Sequence, residues 1–175
     1  MAVTPLQLAA AIGGLATGGV WQRPHLVRDQ ANPLPARRGN INLDNVQKVI
    51  AGMYAVVNEG GTGGRARIPG FDVCGKTGTA QLASNNLLKS NHSHDMKDNA
   101  WFVGFAPRQA PEIVVVALFE NGEHGPEAAP IVRDVLKAYY DKRVRVKQPQ
   151  PVLVTEGPAA GLPAAITPAL GTTQQ

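Results

Sequence analysis

The stretch at residues 70–81, Gly-Phe-Asp-Val-Cys-Gly-Lys-Thr-Gly-Thr-Ala-Gln, admits two chemistries. Counted from Gly70, it fits the phosphate-cradling pattern G-x-x-x-x-G-K-[ST], with Gly70, Gly75, Lys76 and Thr77 in place. Counted from Lys76, it offers an ammonium and two alternating hydroxyls, Thr77 and Thr79, a donor-rich set that suits a carboxylate. Which chemistry is available depends on whether Lys76 and Thr77 open a helix or lie along a strand.

A phosphate cradle needs a buried strand before its first glycine and a helix that starts at the Lys-Thr pair. Residues 63–69 are Gly-Gly-Arg-Ala-Arg-Ile-Pro, charged and broken by proline, which reads as loop. Phe71, Val73 and Cys74 suit a strand better than a turn of exposed amides, and Gly78 is a poor helix opening. The only candidate for the second phosphate-loop acid is Glu120, directly after the later valine run and followed by a hairpin-like Asn121-Gly122. Residues 72–80 are therefore expected to form a strand with Thr77 and Thr79 on one face and Lys76 on the other or along the edge. Glycines weaken a strand, so Gly75 and Gly78 imply close approach of another backbone or of a ligand. Lys-Thr-Gly also occurs in serine acyl-transferases that react with β-lactams, but on the triplet alone an ordinary edge strand with a solvated lysine is the favoured reading, because the triplet occurs by chance in many proteins.

The elements around this strand follow from periodicity. Thr4, Pro5 and Gln7 form a capping signal for a first helix carrying Leu8, Ala9, Ile12, Leu15 and Ala16 and stopping at Gly18-Gly19. Its Gly13-Gly14 pair allows close packing on a neighbour. Residues 20–29 read as an extended piece or loop and 30–40 as a polar connector. His25 has no acid or nucleophile at a recognisable spacing and is given no catalytic part. A second helix, capped by Asn42 or Asp44, places Val46, Val49, Ile50, Met53, Tyr54 and Val57 at helical spacing. Residues 60–64, Gly-Gly-Thr-Gly-Gly, read as too flexible to be regular, yet they lead into the Lys76 strand and are expected near the site.

A polar insertion at 82–99 holds Ser84-Asn85-Asn86 and the set His92, His94, Asp95. Mixed polar loops produce such clusters often, so no metal site is assigned. Residues 100–106 alternate at period two, and 112–120 form the most hydrophobic strand. The continuous run at 113–119 implies burial on both faces. A third helix beginning near 126–130 is expected to bury Ile131, Val132, Val135, Leu136 and Tyr139. The fold class is thus α/β (α+β), with an antiparallel sheet of at least three strands covered by helices on both faces. The domain is taken to run over 1–143. Residues 144–175 form a Pro/Ala-rich tail, expected to be disordered because from Gln148 onward few large apolar groups remain.

The formal charge of +4 is concentrated in residues 142–147 without interleaved aromatics, which argues against a nucleic-acid partner. Cys74 is the only cysteine, so no internal disulfide is possible. No apolar run reaches the length of a membrane span, and no signal peptide follows Met1.

Taken in order, the Thr-Pro-Leu-Gln helix, the amphipathic helix, the glycine-threonine loop, Gly75-Lys76-Thr77-Gly78-Thr79-Ala80-Gln81, residues 100–107 (Ala-Trp-Phe-Val-Gly-Phe-Ala-Pro), the valine strand and the terminal helix resemble one family. It is the C-terminal part of a class B penicillin-binding protein transpeptidase domain, most similar to the elongation type, penicillin-binding protein 2. The resemblance covers about residues 1–143 and implies a partial penicillin-binding-protein/serine β-lactamase-like fold. It implies that Lys76, Thr77, Gly78 and Thr79 bind substrate: Lys76 raises the local positive potential and bridges to a serine. Thr77 and Thr79 hold the terminal carboxylate of a D-alanyl-D-alanine stem peptide or a β-lactam. The Thr79 amide is one oxyanion-hole donor, and Gly78 leaves room for the substrate backbone. It implies no cofactor and no metal. Implied partners are peptidoglycan stem peptides, β-lactams, the upstream half of the domain and cell-elongation proteins, at the periplasmic side of the inner membrane.

One departure is severe. The family's Ser-x-x-Lys nucleophile and base are absent from the sequence. Ser84-Asn85-Asn86 matches the second motif, Ser-x-Asn, by spelling only, because in the family that motif precedes Lys-Thr-Gly. The nucleophile, its base, the second motif and a membrane anchor are expected upstream of Met1, and the chain alone is expected to be inactive. The alternatives are a nucleotide-binding domain using residues 70–77 and a non-catalytic interaction module.

Overall fold

The computed structural model describes residues 3–27, 35–82 and 97–147, with residues 145–147 described by backbone alone. Helix α1 spans Pro5–Ala16. The expected capping box forms, with the Gln7 amide donating to Thr4 Oγ1 at 3.2 Å and the Thr4 amide donating to Gln7 Oε1 at 2.9 Å. Gly18 and Gly19 then take positive φ, +71° and +96°, which ends the helix. A Cβ on Gly14 would overlap the Trp21 indole, so the close neighbour implied by the glycine pair is Trp21. Trp21 lies in β1, Val20–Trp21, which pairs antiparallel with β2, Arg37–Arg38. This two-residue ladder adds a short strand within the stretch read as a polar connector, 30–40: two exposed arginines carry no alternating pattern from which a strand could be read.

Helix α2, Leu43–Asn58, is capped by Asn42, whose Oδ1 accepts from the Asn45 amide at 3.0 Å. It buries Val46, Met53 and Val57, while Val49 stays exposed, because the helix turns only a narrow stripe to the sheet. At its end Asn58 Nδ2 donates to Tyr54 O at 3.1 Å and to Val73 O at 2.8 Å, tying the helix to the approach to the next strand.

Strands β3 (Cys74–Ala80), β4 (Asn99–Ala106) and β5 (Ile113–Phe119) form an antiparallel sheet in the order β3-β4-β5. The register sets Thr77 opposite Phe102 and Phe102 opposite Ala117. Because paired residues share a face, Gly75, Thr77 and Thr79 lie with Gly104, Phe102 and Ala100. That face packs against helix α3, Ala129–Lys147, through Val132, Leu136 and Tyr140. The opposite face, with Cys74, Phe105 and Val114, packs on Ala16 of α1 and Met53 of α2. Helices therefore cover the sheet on both sides, as its apolar strands require.

Two packing expectations are corrected. Along β5 only Ala117 is buried and Phe119 is exposed, since the outer side of this strand pairs with nothing among the described residues. In α3 the inward stripe is Ala129, Val132, Leu136 and Tyr140. Ile131 and Val135 are 44% and 45% exposed, and Tyr139 is half-buried. Two adjacent stripes of α3 are apolar, and periodicity cannot choose which one meets the sheet. The α-helix proper starts at Ala129, within the expected range and after a 3₁₀ turn at Gly125–Ala128, and reaches Lys147. Residues 148–175, where the tail was read, lie outside the described residues.

The Tyr140 ring stacks on Phe71 with centroids 4.6 Å apart, but its buried hydroxyl has no hydrogen-bond partner among the described residues. A buried unpaired hydroxyl is destabilising, so Tyr140→Phe is expected to leave stability unchanged or raise it by about 1 kcal/mol. Urea unfolding checks this, and a loss above about 1 kcal/mol would mean that the hydroxyl has a partner.

Candidate functional site

Strand β3 is an edge: it pairs with β4 on one side and with no strand on the other among the described residues. Lys76 and Thr79 are exposed and Thr77 and Gly78 half-buried, so the four residues singled out from the sequence lie together on an accessible strand. Lys76 Nζ donates to Thr77 O at 2.8 Å and lies 3.5 Å from Thr77 Oγ1. Thr77 O is thus within reach of the lysine at the free edge, the orientation of an outward-facing strand carbonyl. In an antiparallel pair such outward groups recur at every second residue, which turns the Thr79 amide toward the same free edge.

The glycines of β3 differ in purpose. A Cβ on Gly75 would sit 2.6 Å from the Phe102 ring, so this glycine is required by the core beneath the strand. A Cβ on Gly78 would meet only Trp101 Cβ, at 3.3 Å. At Gly125 a Cβ would lie 2.7 Å from Gly78 O and 2.8 Å from Gly78 N, so the turn after β5 rests directly on the site strand.

Two loops hold the threonine hydroxyls. Thr62 Oγ1 lies 2.9 Å from Thr77 Oγ1, and either hydroxyl can donate. The Gly125 amide donates to Thr79 Oγ1 at 3.2 Å, leaving the Thr79 proton free for a ligand. Arg65 and Glu127 pair at 2.6 Å, linking the loop that carries Thr62 to the turn that carries Gly125. Both partners are about half-exposed, so the pair adds less than about 1 kcal/mol to stability. Its significance is positional. The sequence singled out the loop at 60–64 but neither Thr62 nor Gly125 as individual residues. The loop is also more regular than its glycines suggested: it turns into a 3₁₀ helix at Gly64–Ala66.

The phosphate-cradle reading is overturned, because Gly75, Lys76 and Thr77 sit inside β3 and begin no helix. A cleft of about 590 Å³ between α1, α2 and Arg108, and another of about 410 Å³ between α1 and β5, are not lined by Lys76, Thr77, Gly78 or Thr79. Among the described residues the candidate site is an accessible ledge along β3. His25 is exposed, with Nδ1 2.9 Å from Arg23 O, and lines the smaller of those clefts. Among the described residues no group of three or more His, Cys, Asp or Glu could hold a metal; His92, His94 and Asp95 lie outside them, as does Ser84-Asn85-Asn86.

Cys74, fully buried at the start of β3, has its thiol pushed up from 9.0 to about 11, chiefly by burial; Arg108 opposes the shift and Asp72 adds to it. The thiol therefore contributes stability that is complete below pH 9 and lost as pH rises through about 11. At pH 8 alkylation of the folded chain is expected to run roughly a hundredfold slower than in urea, and equal rates would contradict the burial.

The Lys-Thr-Gly strand thus lies at the edge of an antiparallel sheet that has helices on both faces. The family model described as penicillin binding protein transpeptidase domain matches residues 1–137. The peptidoglycan D,D-transpeptidase MrdA of Acinetobacter baumannii is 37% identical over 145 residues, covering 75% of this chain and 21% of that protein. Among solved structures, the complex of PBP2 with MreC from Helicobacter pylori matches with a TM-score of 0.67 and 27% identity, covering 80% of this chain and 25% of that one. Pseudomonas aeruginosa PBP2 in complex with WCK 5153 matches with a TM-score of 0.61 and 35% identity, covering 78% of this chain and 29% of that one. The chain belongs to the penicillin-binding protein transpeptidase family and has its penicillin-binding/β-lactamase-like fold. It spans about a fifth of the curated relative's length.

Proposed function

We propose that this chain supplies the carboxylate-binding wall of a class B peptidoglycan D,D-transpeptidase of the elongation type. The observation that carries the reading is the outer edge of β3, where Lys76 and two hydroxyls stand beside strand backbone that pairs with no strand among the described residues. A stem peptide ending in D-alanyl-D-alanine, or a β-lactam, lies antiparallel to this edge. Its carboxylate accepts from Thr77 and Thr79, and Lys76 supplies the neighbouring positive charge. Gly78 keeps the strand low where the substrate backbone passes. The Thr79 amide donates to the oxygen that becomes negative in the tetrahedral intermediate, in an arrangement fixed before the reaction begins.

Acyl transfer also needs a serine nucleophile with a lysine base, and the sequence contains no Ser-x-x-Lys. This chain therefore acts together with a segment that brings them, and by itself it binds without turnover. The likeness to MrdA and PBP2 proteins supports the substrate class. It also supports a place at the periplasmic side of the inner membrane and work alongside cell-elongation proteins, since the H. pylori relative was solved with MreC. No helix among the described residues is long and apolar enough to cross a membrane.

Titration of the ¹⁵N-labelled chain with N-acetyl-D-alanyl-D-alanine tests the reading. Amide shifts are expected at Lys76, Thr77, Gly78 and Thr79 and not along β5. Shifts confined to the clefts beside α1, or none at millimolar peptide, would remove it.

A further inference from the structure

Thr62 stands between two glycines that are locked to the core. A Cβ on Gly61 would lie 2.5 Å from Val56 Cα, and one on Gly63 would lie 2.8 Å from Val56 Cγ1 and 3.0 Å from the Phe102 ring. The Gly63 amide also donates to Val56 O at 2.9 Å. The peptide carrying Thr62 is thus held against the same aromatic ring that supports Gly75 of β3. On the same face of the strand, the Gly125 amide fixes Thr79 Oγ1, and Arg65–Glu127 joins the two flanking segments. The result is a closed circuit, Thr77 to Thr62 to Arg65 to Glu127 to Gly125 to Thr79, around the residues that face the ligand.

The proton count in this circuit gives Thr62 a direction. Between Thr62 and Thr77 one hydroxyl proton is used and one remains. A carboxylate accepts only, so with an anion on the ledge Thr77 must donate to it and accept from Thr62. Hydrogen bonds in such a chain polarise one another, which strengthens the bond to a charged acceptor most.

The geometry points to Thr62 as a specificity-determining positioning residue: by donating to Thr77 Oγ1, it aims the Thr77 proton at the ligand and favours a free C-terminal carboxylate over an amide. Thr62 does not itself touch the ligand. This inference rests on the carboxylate-binding reading of β3 and sharpens it to peptides and β-lactams that keep the free acid.

The test uses the full chain, titrated by NMR with N-acetyl-D-alanyl-D-alanine and with its C-terminal amide. The parent chain is expected to prefer the acid. Thr62→Val is expected to weaken the acid by about three- to tenfold, the value of one hydrogen bond, and to leave the amide unchanged; Thr62→Ser restores the preference. If Thr62→Val binds the acid as tightly as the parent, the inference is wrong while the carboxylate site stands. Equal weakening of acid and amide overturns it too, since Thr62 would then only shape its loop. A parent chain that binds neither ligand removes the carboxylate site and the inference together.

Discussion

Phe102→Ala lowers the unfolding free energy by about 3–5 kcal/mol, a large share of the roughly 5–15 kcal/mol that holds a domain together. The side chain is fully buried at the middle of the central strand β4. Its ring also decides the sequence around it. Added Cβ atoms at Gly75, Gly63 and Gly104 would lie 2.6, 3.0 and 3.4 Å from it. Truncation therefore opens a cavity under β3 and removes the support of the Thr62 loop at the same time. The second effect makes the loss larger than a simple core truncation and couples it to the site. Urea denaturation of the parent and the variant gives the number; a loss below about 1 kcal/mol would show that the ring is not the packing centre.

Gly125→Ala has the second largest expected effect, and it falls on the site itself. Gly125 has an ordinary backbone conformation, so an alanine is not strained by its φ; the obstacle is Gly78, whose backbone oxygen and nitrogen lie 2.7 and 2.8 Å from the added carbon. Strand atoms cannot rotate aside as a flexible side chain could. The turn must lift from β3, at an overpacking cost of about 1–3 kcal/mol. Lifting it also breaks the bond from the Gly125 amide to Thr79 Oγ1. Amide spectra are expected to show changes centred on Thr77, Gly78 and Thr79 with little change in α1. Unchanged β3 resonances would contradict the close approach.

Much of this architecture is legible one segment at a time. The Thr4–Gln7 capping box, the glycine stop after α1 and the alternation along β4 are local signals, and each appears where its pattern lies. The strand character of residues 74–80 was readable because Phe71, Val73 and Gly78 argue against a phosphate cradle. What the sequence hides is which of several equivalent surfaces meets a partner. Val132 and Ile131 have the same local credentials, and only the position of the sheet buries one and exposes the other. The valines of β5 announce apolarity but not whether both faces will be covered.

The candidate site shows the same division. Lys76, Thr77, Gly78 and Thr79 form a contiguous motif and could be named from the chain. Their positioning partners could not. Thr62 precedes Thr77 by 15 residues and Gly125 follows Thr79 by 46, and no pattern within either segment refers to the other. Gly125 has a rationale only once Gly78 lies beneath it, as Gly75 has one only once Phe102 does.

The most direct measurement replaces the matching segment of A. baumannii MrdA, 37% identical to this chain, with residues 1–137 and follows acylation by a fluorescent penicillin. The relative brings the nucleophile, and this chain brings the β3 wall. The account predicts a labelled chimera, with labelling slowed about a hundredfold or more by Lys76→Ala. A folded chimera that stays unlabelled beside a labelled parent would contradict the claim that β3 is the wall of a transpeptidase cleft.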